Sequence, residues 1–77
     1  MSDPIHPTAL VDPGARLGAR VRIGAYTIVG PDVVLGDDVE LGHHVVLEGR
    51  VSLGDGVRVG HGGVLGGAPQ DLKFKDG

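Results

Sequence analysis

The stretch LGARVRIGAYTIVGPDVVLGDDVELG, residues 17–42, decides the fold, because an aliphatic residue returns in it at every sixth position. Extended in both directions, this register runs without a miss through eleven residues: Ile5, Val11, Leu17, Ile23, Val29, Leu35, Leu41, Leu47, Leu53, Val59 and Leu65. Six residues turn an α-helix by about 600°, which points successive aliphatics in different directions, whereas a strand returns the same face at every even spacing. The repeat therefore predicts β-strands.

The neighbours of each aliphatic residue repeat as well. The next residue is Gly in eight of the eleven hexads, and the residue two positions earlier is small or β-branched, as at Ala9, Thr27 and Val45. Residues i−2 and i of a strand share a face, so we expect both to point inward, with Ile5 to Leu65 inside. We expect the glycine to allow the tight corner, or the positive φ, that follows each strand.

A hexad leaves room for a strand of only about three or four residues and a corner, which suits a solenoid whose strands stack along its axis. With three hexads per triangular coil, outward residues 18 apart share a face, and these residues do sort by face. The first face has Leu10, Ile28, Val46 and Val64; the second has Arg16, Val34, Ser52 and Gln70; the third has Arg22, Glu40 and Arg58, with Asp76 next in sequence. We predict an all-β solenoid of about four coils over residues 5–70. Residues 1–4 would form an N-terminal tail, and residues 71–77 the start of a loop that leaves the solenoid.

Composition narrows the class of function. The 77 residues contain no Cys, and the net charge of −3 gives no reason to expect binding to nucleic acid or to an anionic membrane. We also expect no insertion into a membrane. The N-terminus has no signal-peptide pattern and no apolar run approaches bilayer length. We expect a soluble cytoplasmic protein without a cofactor, stabilised by repetition or assembly.

The apolar first face points away from a core that the i and i−2 residues already fill, and a continuous exposed apolar surface usually marks an interface. We predict that it holds a homotrimer together, with Tyr26 and His44 one step further out at its flank. The alternative is that another part of the same chain covers it.

Two segments resemble a known family. IHPTALVDPGARLGARVRIGAYTIVGP, residues 5–31, looks like the start of bacterial hexapeptide-repeat acyltransferases, and GGAPQDLKFKDG, residues 66–77, is similar to a segment of the UDP-N-acetylglucosamine 3-O-acyltransferases. The resemblance implies a left-handed parallel β-helix that forms homotrimers and takes a fatty acyl group from acyl carrier protein. It implies that Asp71 and Lys73, with their neighbours Gln70 and Leu72, lie near the sugar acceptor, UDP-N-acetylglucosamine.

The resemblance also implies that the general base is a histidine beyond residue 77, so no catalytic residue is expected in this chain. We interpret the chain as the N-terminal portion of a longer enzyme and expect no acyl transfer by it alone.

Alternatives remain open. The chain could belong to the related N-acyltransferase of the same pathway, or be a non-catalytic solenoid that only trimerises, and residues 70–73 could be a plain polar loop. His43 and His61 are 18 apart and should stack on adjacent coils, beside His44; zinc bound by such histidines, as in trimeric β-helices of the carbonic-anhydrase type, is the other alternative. We predict no metal site, and we expect His6 to cap the end of the first coil.

Overall fold

Short strands follow the hexad register in the computed structural model, which describes residues 4–67 and 70–72. Each strand has two or three residues, since the glycine and the corner occupy the rest of the hexad. Within the described residues the strands are β1 Leu10–Val11, β2 Arg16–Leu17, β3 Arg22–Ile23, β4 Ile28–Val29, β5 Val33–Leu35, β6 Glu40–Leu41, β7 Val46–Leu47, β8 Val51–Leu53, β9 Arg58–Val59, β10 Val64–Leu65 and β11 Gln70–Leu72.

The strands form three parallel sheets, each built from every third strand. The first sheet has the order β1-β4-β7-β10, the second β2-β5-β8-β11, and the third β3-β6-β9. A bridge from Ile5 to Ile23 extends the third sheet by one position. Ile28 pairs with Leu10 on one side and Val46 on the other, so the 18-residue triangular coil is confirmed.

The second sheet departs from the 18-residue spacing at its last strand. Asp71, not Gln70, pairs with Ser52, and Leu72 pairs with Leu53. The predictions that Gln70 continues the outward row and that a loop starts at Asp71 are therefore wrong. A residue in the aliphatic row must be apolar, and one additional residue before β11 brings Leu72 rather than Asp71 into that row.

The core is a column of aliphatic side chains inside the three sheets. Its buried members are Val21, Ile23, Val29, Val33, Leu35, Val39, Leu41, Val45, Leu47, Val51, Leu53 and Val57. They occupy positions i and i−2, as predicted. Ile5, in contrast, is 38% exposed, because the first described coil has a neighbouring coil on one side only. The prediction that the whole row lies inside is wrong at that end.

Thr27 is a buried polar side chain in this column. Its hydroxyl donates a hydrogen bond to the Gly42 carbonyl at 2.7 Å and accepts one from the Val45 N–H at 3.2 Å. Both partners belong to the next coil. The buried hydroxyl is therefore satisfied by two hydrogen bonds that join one coil to the next.

The glycines after the aliphatic residues have a different role from the one predicted. Left-handed φ values fall one or two positions later in the hexad, at Arg20, Tyr26, Asp38, His44, Gly49, Gly56, Gly62 and Gly67. At Gly42 the requirement is steric: a Cβ there would lie 2.6 Å from Nδ1 and 2.8 Å from the backbone N of His61 on the next coil. The expectation of positive φ at the glycine that directly follows the aliphatic residue is therefore wrong. At Gly42, glycine is required because the next coil comes too close to leave room for a side chain.

No helix long and apolar enough to cross a membrane occurs among residues 4–67 and 70–72.

Candidate functional site

An apolar strip covers the outside of the first sheet. It consists of Leu10, Ile28, Val46 and Val64, which pair in register from β1 to β10. Leu10 is 66%, Ile28 43% and Val64 65% exposed, while Val46 is half-buried. The parallel register therefore brings together the four residues predicted from their spacing, and the strip remains open along its whole length.

Tyr26 and His44, which we predict at the flank of the strip, lie in turns two residues before Ile28 and Val46. Their rings stack with centroids 5.4 Å apart and an angle of 17° between planes. Both residues have a left-handed φ of 57°, which is uncommon for residues with a side chain, and the Thr8 hydroxyl accepts the Tyr26 N–H at 2.9 Å. The left-handed corner thus positions an exposed aromatic pair beside the strip.

The residues expected near the acceptor fall at the end of the second sheet. Gln70, Asp71 and Leu72 form β11, parallel to β8, and the side chain of Leu72 is exposed. Lys73 lies outside the described residues. The backbone of three of the four predicted residues is therefore held by ladder hydrogen bonds to the preceding coil, which makes a plain polar loop at 70–72 the wrong description.

Charged residues line a groove on the third sheet. The outward residues Arg22, Glu40 and Arg58 pair in register, and Arg58 Nε lies 3.4 Å from Glu40 Oε2. Together with His43 and His61 they line an open groove of about 590 Å³. The predicted alternation of charge is thus a cross-strand ladder on an exposed surface; Asp76 lies outside the described residues.

His43 and His61 stack on adjacent coils, as predicted, with centroids 4.9 Å apart and planes within 6°. The Nδ1 of His43 accepts the Ala25 N–H at 2.7 Å, and the Nδ1 of His61 accepts the His43 N–H at 2.8 Å. A neutral imidazole has one ring hydrogen, so both rings carry it on Nε2. Neither ring then offers a free lone pair in this arrangement, and the described residues contain no group of three or more His, Cys, Asp or Glu that could hold a metal ion.

Aspartate side chains also accept backbone N–H groups from the coil before, at the corner that leads from the second sheet into the third. These bonds were not predicted from the sequence. Asp37 Oδ1 accepts the Ala19 N–H at 2.8 Å, and Asp55 Oδ1 accepts the Asp37 N–H at 2.7 Å. The signal was available, since the two aspartates, like His43 and His61, are 18 apart and fall two positions after an aliphatic residue. Side-chain acceptors at this position therefore join successive coils.

An exposed ion pair lies one position further along the same corner. Arg20 Nε donates to Asp38 Oδ1 at 2.7 Å and Nη2 donates to Oδ2 at 3.0 Å. These hydrogen bonds lower the pKa of Asp38 below its ordinary value and raise that of Arg20. His6 is bonded locally, since its Nδ1 lies 2.8 Å from the Thr8 hydroxyl.

Comparisons with known proteins agree with this geometry. Residues 32–67 match the family model described as bacterial transferase hexapeptide (six repeats). Two curated relatives, from Xanthomonas campestris pv. campestris strains B100 and 8004, are 50% identical over 70 residues, which is 91% of this chain. Each bears the name acyl-(acyl-carrier-protein)–UDP-N-acetylglucosamine O-acyltransferase. The chain spans 27% of the length of these relatives.

The hexapeptide match explains the six-residue register, and the relatives carry the name that the two quoted segments indicated. The resemblance is therefore confirmed: the chain is a left-handed parallel β-helix of hexapeptide repeats that matches a segment of the bacterial UDP-N-acetylglucosamine O-acyltransferases.

Proposed function

We propose that this chain is part of a cytoplasmic O-acyltransferase that moves a fatty acyl group, such as a 3-hydroxyacyl group, from acyl carrier protein to the 3-hydroxyl of UDP-N-acetylglucosamine. The observation that carries the proposal is the 50% identity over 91% of the chain to proteins named for this reaction. The transfer needs a base that removes the hydroxyl proton as the oxygen attacks the thioester. We assign that base to a histidine outside residues 1–77.

The part of the reaction that we assign to this chain is acceptor binding by Gln70, Asp71, Leu72 and Lys73. Support comes from β11, whose backbone pairs with β8 and so shares the rigidity of the solenoid. A binding residue on a strand keeps its position better than one on a free loop, and misplacement by about 1 Å can reduce a rate on the order of 10²-fold.

A chimera tests this assignment. The matching segment of the Xanthomonas campestris enzyme is replaced by residues 1–77, and acylated UDP-N-acetylglucosamine is measured by mass spectrometry. We expect the chimera to transfer acyl groups, Asp71→Asn to lower the rate on the order of 10²-fold, and the isolated chain to give no product. Asp55→Asn is the matched control, because asparagine keeps the Oδ1 acceptor of that corner. A folded chimera without activity, or equal rates for the two variants, would contradict the proposal.

We also propose that the functional unit is a homotrimer whose subunits meet at the apolar strip Leu10, Ile28, Val46 and Val64, flanked by Tyr26 and His44. The exposure of three of the four aliphatic side chains supports it, since their burial would remove apolar surface from water. A threefold arrangement of triangular prisms can cover one face of each.

Sedimentation of an arginine variant tests the interface. Ile28→Arg with Val46→Arg should convert the trimer to monomer or aggregate, because it places two charges in the strip. Val34→Arg is the control, since Val34 on the second sheet is 43% exposed, as Ile28 is. A wild-type chain that sediments as a monomer at high concentration, or a trimer unchanged by the double variant, would refute this interface.

A further inference from the structure

The corner that leads from the third sheet into the first is closed by two stacked histidines. His43 Nδ1 accepts the Ala25 N–H at 2.7 Å, and His61 Nδ1 accepts the His43 N–H at 2.8 Å. The centroids of the two rings are 4.9 Å apart. Each histidine therefore bonds its own coil to the coil before it, through a backbone N–H that the strand ladders do not use.

These bonds require neutral rings. A backbone N–H can only donate, so each Nδ1 must offer a lone pair, and the single hydrogen of the neutral imidazole lies on Nε2. A protonated imidazole carries hydrogens on both nitrogens and accepts nothing. Two protonated rings at this spacing would also repel each other.

We propose that these two histidines, with the N–H groups of Ala25 and His43, form an acid-sensitive latch. A proton that adds to Nδ1 takes the lone pair that holds the backbone N–H, so the bond between coils is lost and the corner opens. The same corner contains the stacked pair of Tyr26 and His44 and continues into the apolar strip. Acid thus loosens the flank of the strip before it affects the sheets.

Charged and titratable groups face the latch from both sides. On the groove side the charged groups are Arg22, Arg58 and Glu40, and the carboxylate already faces Arg58 at 3.4 Å. His6 also lines this groove. On the other side of the corner the titratable groups are Tyr26 and His44, which stack on each other. Among the described residues, the charged groups on the groove side are thus two guanidinium groups and one carboxylate that already faces Arg58.

The corner from the second sheet into the third allows an internal comparison, because aspartates there occupy the positions of the two histidines. There Asp37 and Asp55 accept the N–H groups of Ala19 and Asp37 at 2.8 and 2.7 Å. A carboxylate has acceptor oxygens throughout the range in which histidine gains its proton. The two corners therefore share this pattern of backbone N–H groups bonded to side-chain acceptors, and mild acid should remove it at the histidine corner alone.

Amide hydrogen exchange of the chain, followed by NMR at about pH 7.5 and about pH 5 and corrected for intrinsic exchange, tests the latch. Acid should reduce the protection of the Ala25 and His43 amides about five- to tenfold, the factor that corresponds to one lost hydrogen bond. The Ala19 and Asp37 amides should keep their protection. Equal losses at both corners, or no loss at either, would overturn the proposal.

Asparagine variants separate the latch from a general effect of acid. His43→Asn with His61→Asn should remove the acid response and keep the neutral-pH protection, because asparagine Oδ1 can accept as the aspartates do in the corner from the second sheet into the third. His44→Asn, which removes an imidazole without a backbone partner at its ring, should leave the response as in the wild type. Nitrogen-15 shifts of the imidazoles give a second measurement: hydrogen on Nδ1 of His43 or His61 at neutral pH, or an acid response that survives in the double variant, would refute the latch.

Discussion

Alanine at Gly42 and alanine at Gly60 should change stability in opposite directions. Both glycines follow an aliphatic residue and precede a histidine on the third sheet. A Cβ at Gly42 would lie 2.6 Å from His61 Nδ1 and 2.8 Å from the His61 backbone N, whereas a Cβ at Gly60 would meet no atom of residues 4–67 and 70–72 within 4 Å. The pair therefore isolates the effect of close approach between coils from every other effect of the substitution.

The size of the difference follows from two contributions. Replacing Gly by Ala where the backbone tolerates it stabilises by about 0.4–1 kcal/mol through the unfolded chain, and this gain is common to both variants. Overpacking costs about 1–3 kcal/mol and applies to Gly42 alone, because the neighbouring atoms belong to backbone and to a ring that holds a hydrogen bond. Since the common gain cancels, the two variants should differ by about 1–3 kcal/mol, or about 4–24 °C in melting temperature for a domain of this size.

Thermal melting followed by circular dichroism measures this difference, with the protomer concentration held fixed because assembly makes melting concentration-dependent. We expect the Gly60→Ala protein to melt at or above the wild-type temperature and the Gly42→Ala protein below it. Equal melting temperatures for the two variants would show that the coils do not approach as closely as the structure has them, and would refute the steric role of these glycines.

The solenoid could be predicted from sequence because its register repeats. An aliphatic residue every six positions, and outward residues that sort by type every 18, define the coil, the core and the apolar strip before any contact is known. The same argument failed at β11, where one additional residue makes the spacing from Leu53 to Leu72 19. A periodic pattern predicts only what repeats, and the change occurs where Gln70 and Asp71 offer no aliphatic residue to mark the register.

The corners could not be predicted in the same way, because their conformation is set by the neighbouring coil. Asp38 and His44 have left-handed φ values that sequence would assign to glycine. Their N–H groups donate to the carbonyls of Ala19 and Ala25 at 2.8 and 2.9 Å, bonds that exist only once the coils have stacked. Hydrogen bonds between coils thus offset the backbone strain of each corner. A local sequence pattern does not reveal these bonds.

Three further substitutions test the core, the Thr27 hydrogen bonds and the Arg20–Asp38 ion pair. Leu47→Ala, at a fully buried position in the middle of the stack, should cost about 2–5 kcal/mol in chemical denaturation; a cost near zero would mean that the core is wrong. Thr27→Val keeps the side-chain shape but leaves the buried Val45 N–H and the half-buried Gly42 carbonyl without their hydroxyl partner. It should cost about 1–3 kcal/mol in the same assay, whereas an unchanged or higher stability would contradict those bonds. The last concerns acid. The hydrogen bonds from Arg20 lower the pKa of Asp38 below its ordinary 3.8, so the pair stabilises the fold above that pH and loses its effect as the pH falls through the lowered value. Because both side chains are exposed, the effect should be small and weakened by salt. Stability measured from about pH 5 to about pH 2 at low salt should therefore fall less steeply for Asp38→Asn than for the wild type, and identical slopes at low salt would show that the ion pair does not form in solution.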